Sequence, residues 1–131
     1  MVDRFEELEA WKTARQLVNL IYDLSSRSPF SRDFGFVDQA RRAVVSVMNN
    51  IAEGFESRTQ GLFVDYLGRA KGSAGEVRSV LYVALDRLYV SKEEFDIAYD
   101  LAEKSSRQVA RLNSTTAIAI RHVPGAAPAL Q

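Results

Sequence analysis

The sequence of 131 residues has no cysteine and a single histidine, His122, and both scarcities exclude kinds of functional site. Without cysteine there is no disulfide, no thiolate ligand for zinc or iron–sulfur clusters, and no thiol nucleophile. One histidine excludes multi-histidine metal sites. No apolar run reaches the roughly 18 residues of a membrane span, and the amino terminus has no secretion-signal pattern. We therefore expect a cytoplasmic protein without membrane contact.

The chain has no excess of either sign of charge, because 17 basic residues balance 17 acidic ones. No global field therefore draws the chain toward polyanions. The charge is nevertheless unevenly distributed along the sequence. Residues 58–90 hold five basic and three acidic residues, and residues 91–104 hold two basic and five acidic. The composition, 47% hydrophobic and 26% charged, is typical of one globular domain.

Four blocks of helical periodicity predict an all-α protein, an antiparallel up-down-up-down four-helix bundle. They cover about 6–26, 36–57, 59–89 and 91–113. Apolar residues spaced by alternating threes and fours form an inner seam. In the second block these are Val37, Ala40, Val44, Val47 and Ile51, and in the third Ala70, Ala74, Val77, Leu81, Ala84 and Leu88.

Glycines in these blocks predict close approaches between helices. Gly54 occupies the next seam position after Ile51, where two backbones could come together. Gly68, Gly72 and Gly75 either break the third block near residue 72 or mark one closely packed helix. The uninterrupted seam favours one helix.

The ends of the fourth block carry local signals. Ser91 and Glu94 form the sequence pattern of a capping box at its start. The stretch Thr115–Ile120 is ambiguous and would extend the helix if it is helical. We expect residues 1–121 to form the bundle domain and residues 122–131, with two prolines, to form a flexible tail.

No established catalytic pattern is present, so we expect no enzyme, no catalytic residue, no metal and no cofactor. A bundle di-metal site needs Glu-x-x-His motifs that the chain lacks, which leaves only a carboxylate pair such as Glu53 with Glu76. The run Gly68–Ser73 superficially resembles a phosphate-binding loop. It lies inside a helical pattern without a preceding strand, so we interpret its glycines as packing residues.

A polar stripe opposite the seam of the second block is unusual. It consists of Gln39, Arg42, Ser46, Asn49, Asn50 and Glu53, and the third block has a matching stripe of Arg69, Gly72, Ser73 and Glu76. Serine and asparagine are mediocre helix formers, and solvated faces usually carry lysine and glutamate. Three interpretations remain open: hydrogen bonds between helices of one bundle, a subunit interface, and a ligand site.

These stripes also resemble the motifs of a known family. The first motif is Gln39-Ala40-Arg41-Arg42-Ala43, Ser46 and Asn50-Ile51-Ala52-Glu53-Gly54, and the second is Phe63, Tyr66-Leu67, Ala70-Lys71-Gly72-Ser73 and Glu76. Together with Phe5, Leu8 and Trp11 they resemble the four-helix-bundle family named after 23S rRNA intervening-sequence proteins. The resemblance extends from about Phe5 to Leu112.

The resemblance implies a small cytosolic bacterial bundle that forms homopentamers and has no established enzymatic activity. A related branch, the accessory variability determinant proteins of diversity-generating retroelements, forms basic pentameric barrels that bind reverse transcriptase and RNA. This chain departs from that branch, since its net charge is zero.

Two functional hypotheses follow from the sequence. The first is a non-enzymatic homopentameric scaffold that binds itself and another protein, with apolar subunit contacts from Phe55, Leu62, Val80 and Tyr82. It predicts that Val80→Glu weakens assembly and leaves helicity intact. The alternative is an accessory protein for RNA or DNA, with phosphates neutralised by Arg41, Arg42, Arg69 and Lys71 around a ring.

Overall fold

The computed structural model describes residues 2–57 and 59–121, with side chains of the last helix as far as Leu112. Its helices are α1 Glu9–Ser25, α2 Phe34–Glu56, α3 Gln60–Asp86 and α4 Lys92–Arg121. Short 3-10 turns at Phe5–Glu7 and Phe30–Arg32 precede α1 and α2. Each helix packs against its neighbour in sequence, and α4 closes on α1. The predicted four-helix bundle is confirmed.

The predicted seams form the core of the bundle. On α2, Val44, Val47 and Ile51 are fully buried, and on α3, Ala70 and Val77 are too. α3 is one unbroken helix, so the glycines do not interrupt it near residue 72. Within the described ranges no helix is both long and apolar enough to cross a bilayer. The predicted tail, residues 122–131, lies outside the described residues.

Side chains mark three of the helix starts. The Ser91 hydroxyl accepts from the Glu94 amide at 3.1 Å, and the Glu94 carboxylate accepts from the Ser91 amide at 2.8 Å. This confirms the capping box. The Ser91 amide and the Arg27 guanidinium, 2.6 Å away, lower the pKa of Glu94. Asp33 caps α2 and Thr59 caps α3, and neither cap was predicted.

Leu88 does not continue the α3 seam, and that prediction is wrong. The Tyr89 amide donates to the Ala84 carbonyl at 2.8 Å, and the Leu88 amide donates to the Leu85 carbonyl at 3.0 Å. This pattern is a Schellman motif, which ends the helix at Asp86. Leu88 adopts a left-handed φ of 61° and is 81% exposed. The chain therefore leaves the helix before Leu88 reaches its seam position.

Val80 is also misplaced by the sequence pattern. It is only 7% exposed and belongs to the core, because α3 buries an arc wider than the two-position seam. Val80→Glu would place a charge in the core, so it would destabilise the fold itself. Of the other contact candidates, Phe55 is half-buried against the edge of Phe63, whereas Leu62 and Tyr82 remain about half exposed.

The glycines differ in what surrounds them. A Cβ at Gly54 would lie 2.8 Å from the Cβ of Tyr66 and 3.1 Å from Cδ1 of Phe63, so α2 and α3 approach closely there. The predicted close approach at Gly54 is confirmed. A Cβ at Gly68 or Gly72 would meet no atom within 4 Å. For these two, packing inside the chain is the wrong explanation.

We predict opposite effects of alanine at the two kinds of glycine. Gly54→Ala should lower the free energy of unfolding, because overpacking of about 1–3 kcal/mol exceeds a helix-propensity gain of about 1 kcal/mol. Gly68→Ala should raise it by up to about 1 kcal/mol. Urea denaturation of wild type and both variants, at concentrations where all are single chains, measures this. A Gly54→Ala variant as stable as wild type would contradict the close approach.

Candidate functional site

The polar stripes of α2 and α3 face each other, and their small members join the two helices. The hydroxyls of Ser46 and Ser73 lie 2.8 Å apart. The side-chain amide of Asn50 donates to the Ser46 backbone carbonyl at 2.8 Å and to the Ser46 hydroxyl at 2.9 Å. All three side chains are half-buried. They form one hydrogen-bond network at the bottom of the groove between α2 and α3, which we call the serine–asparagine network.

The charged and longer members of the stripes remain exposed around this network. They are Gln39, Arg42, Glu53, Arg69 and Glu76. Arg42 is paired along its own helix, with its Nε 3.0 Å from the Asp38 carboxylate. Gln39, Arg42, Ser46 and Glu76 line one open, shallow depression. The α2–α3 groove therefore has a neutral floor and rims of mixed charge.

A second shallow depression lies on the α1 side of the same helix. It is lined by Tyr22, Arg41, Val45, Asn49 and Glu53, and it shares Asp38, Arg42 and Ser46 with the first. The outer surface of α2 thus runs between two open depressions. Both are wide open to solvent, so they suit a contact with a macromolecular surface better than the enclosure of a small molecule.

The carboxylate pair Glu53 and Glu76 is not brought together. From the level of the Ser46–Ser73 contact, Glu53 lies seven residues along α2 and Glu76 three residues along the antiparallel α3. At 1.5 Å per residue the two are separated by roughly 15 Å along the bundle. Among the described side chains, no group of three histidine, aspartate or glutamate residues is placed to hold a metal ion.

Arg41 links α2 to the end of α1. Its Nε donates to the Ser25 hydroxyl at 2.9 Å, and its Nη2 donates to the Ser26 hydroxyl at 3.2 Å. Its guanidinium carbon also lies 4.4 Å from the ring centre of Tyr22. This contact was missed by sequence reasoning. The only signal was a serine pair at the end of the preceding block, which does not reveal its partner.

The four predicted phosphate-binding side chains do not form one patch on a single chain. Arg41 is held against α1, and Arg42 is paired with Asp38. Arg69 lies over the ring of Tyr66 at 5.0 Å. Lys71 is two residues further along α3, so its side chain leaves the helix about 160° from that of Arg69. Only an assembly of several chains could bring these charges to a common surface.

This geometry defines a class of protein. It is an antiparallel four-helix bundle with a polar contact between its second and third helices. Residues 6–111 match the family model described as 23S rRNA-intervening sequence protein, so the chain belongs to that family. The fold is similar to a crystal structure from Bacteroides thetaiotaomicron, a protein with unknown function from the S23 ribosomal protein family. That match has a TM-score of 0.73 and 16% identity, and covers 81% of this chain and 96% of the other. No curated protein matches the sequence.

We predict that the serine–asparagine network contributes to stability. Ser46→Ala removes the hydroxyl that Ser73 and Asn50 both contact, so unfolding should become easier by about 0.5–1.5 kcal/mol. Gln16→Ala, at an exposed position of α1, is the control and should change stability by less than about 0.5 kcal/mol. Chemical denaturation compares them, and equal effects would contradict a stabilising network.

Proposed function

We propose that the protein is a non-enzymatic homo-oligomeric scaffold, a pentamer, whose subunits meet through the outer face of α3. The observation that carries this is the pair Gly68 and Gly72. Both are exposed, and neither has a neighbour in its own chain that would exclude a side chain. A helix-interior glycine is less favourable than alanine by about 1 kcal/mol. The absence of side chains at both positions would allow the backbone of a second subunit to approach this face closely.

One exposed apolar side chain shares the arc of these glycines. With about 100° between successive helix residues, Gly68, Gly72 and Val83 leave α3 within roughly 60° of one another, and Val83 is 44% exposed. The same arc carries Asp65, Ser79 and Asp86, whereas Leu62 and Tyr82 lie about 80° to either side of Gly72. We call the arc of Gly68, Gly72 and Val83 the α3 face, because its two glycines leave room for the backbone of a neighbouring helix.

Subunit number and the scaffold role rest on the family. The resemblance to homopentameric bundles with no established enzymatic activity supports a pentamer that binds other proteins. The zero net charge is compatible with it, since neutral subunits associate without net repulsion. The wide depressions on α2 offer surfaces to a protein partner.

Nucleic-acid binding is the second candidate function, and two cations without a carboxylate partner favour it. Arg69 and Lys71 are exposed, and neither takes part in an ion pair with another described residue. Both lie near Gly72, so a ring built through the α3 face would repeat them at every subunit contact. Repeated cations can neutralise phosphates that a single chain cannot hold.

The assembly is tested by filling the α3 face without weakening its helix. Glutamine is a good helix former, so Gly68→Gln/Gly72→Gln should keep the circular dichroism of the bundle and lose the pentamer in native mass spectrometry. Asn19→Gln on the exposed side of α1 is the control and should remain pentameric. A monomeric wild type would contradict the scaffold proposal, and a pentameric glycine variant would contradict the α3 face.

The nucleic-acid alternative is tested by charge reversal. If it holds, fluorescence anisotropy with single-stranded RNA should show affinity that falls steeply with salt. Arg69→Glu/Lys71→Glu should then weaken binding at least tenfold. Lys104→Glu/Arg107→Glu, an equal charge change on exposed positions of α4, should weaken it less than threefold. Salt-independent binding, or equal loss in both variants, would count against phosphate contacts at these two residues.

A further inference from the structure

One end of the bundle carries the two most exposed large apolar side chains among the described residues. Phe34, the first residue of α2, is 80% exposed, and Leu88, between α3 and α4, is 81% exposed. We call this end, formed by Phe34 and Leu88 with their neighbours Asp33 and Tyr89, the tip. Scattered exposed apolar residues are ordinary, but two at one end with this exposure form a surface feature.

A hydrogen bond and a ring contact join the two segments that form the tip. The Tyr89 hydroxyl donates to the Asp33 carboxylate at 2.7 Å, which joins the start of α2 to the α3–α4 connection. This bond raises the pKa of Tyr89, so its hydroxyl stays protonated well into alkaline solution. The Tyr89 ring also stacks on Phe30 with 5.2 Å between centres. Phe34 directly follows Asp33, and Leu88 directly precedes Tyr89. The bond between Asp33 and Tyr89 therefore keeps Phe34 and Leu88 at the same end of the bundle.

Leu88 carries two local disadvantages that glycine would remove. It occupies the left-handed position of a Schellman motif, where glycine is usual because it has no Cβ to clash. Its side chain is also in water and gains no burial within its own chain. A leucine kept in a glycine position, with nothing of its own fold to cover it, suits a surface that is covered by something else.

We propose that the tip is a contact between copies of this chain, in which Phe34 and Leu88 of one ring meet those of a second ring, tip to tip. The inference rests on the proposed assembly. Four such side chains from two single chains would cover only about 600 Å², well below the roughly 1,200 Å² of a stable interface. A cyclic ring whose bundles run along its axis brings all five tips to one face, and the covered area then becomes ample.

The charges around the tip favour a second copy over a lipid surface. Residues 27–36 and 86–96 hold four basic and five acidic residues, so each tip has a net charge of only minus one. An anionic bilayer would gain nothing from this near-neutral surface. Two of the cations are moreover occupied, since Arg27 pairs with Glu94 and Lys92 pairs with Asp96.

The experiment compares association of full-length wild type with Phe34→Ser/Leu88→Gly by native mass spectrometry and sedimentation over a wide concentration range. Wild type should show the ring and, with increasing concentration, a species of twice its mass. The variant should keep the ring and need at least tenfold higher concentration to double. Leu88→Gly suits the left-handed turn, so the fold is preserved. Ile97→Ser, at a 62% exposed position on α4, is the control and should double like wild type.

Each other outcome contradicts a definite statement. Wild-type rings that never double, or a variant that doubles as readily as wild type, would overturn the tip contact and leave the ring intact. A wild-type chain that stays monomeric would overturn the assembly itself and the tip contact with it. Sedimentation of wild type, but not of the variant, with vesicles of neutral and anionic phospholipid would assign the tip to a membrane surface and overturn the contact between copies.

Discussion

The short distance between α2 and α3 is the constraint on which the rest of the structure depends. At Gly54 the absence of a side chain allows the Cβ of Tyr66 to lie against the α2 backbone. Eight residues earlier on α2, the hydroxyls of Ser46 and Ser73 touch. A serine hydroxyl reaches only a short way from the backbone, so this bond also requires closely spaced helices. A larger residue at either level would force α2 and α3 apart at that level.

Long polar side chains also link the other two helices to this pair. Arg41 reaches from α2 to the end of α1, and Arg78 of α3 donates to Ser106 of α4 at 2.9 Å. Long side chains tolerate small shifts in helix position, whereas the glycine and serine contacts do not. The contacts at Gly54 and Ser46 therefore set the spacing of α2 and α3.

Features that depend on the local period of the chain could be predicted from the sequence. The helices, most of their seams, the capping box at Ser91 and the close approach at Gly54 all follow from spacing within about seven residues. The errors occur where the period stops being informative. Leu88 fits the seam by number, but the helix has already ended at Asp86. Val80 falls outside a narrow seam, but the buried arc of α3 is wider than the seam.

Contacts between distant residues could not be predicted in the same way. Asp33 and Tyr89 are 56 residues apart, and Arg41 and Ser25 are 16 apart, so no local pattern pairs them. The candidate site shows the same division. That the stripe was unusual could be read from its residue types, but which members would bond to one another, such as Ser46 with Ser73, depended on how α2 and α3 align. Gly54 and Gly72 look alike in sequence. Only the structure shows that side chains of this chain occupy the space beside Gly54, whereas the space beside Gly72 is empty within this chain.

The two candidate functions are physically coupled because they use the same helix. Arg69 and Lys71 flank Gly72, and their side chains leave α3 about 160° apart. If the α3 face is covered by a neighbouring subunit, at most one of these cations can point into a ring channel while the other lies at the ring's outside. Phosphate binding at both would then require nucleic acid to contact two surfaces of the ring. A neutral chain is poorly suited to that, so the geometry of α3 itself favours the scaffold over the nucleic-acid alternative.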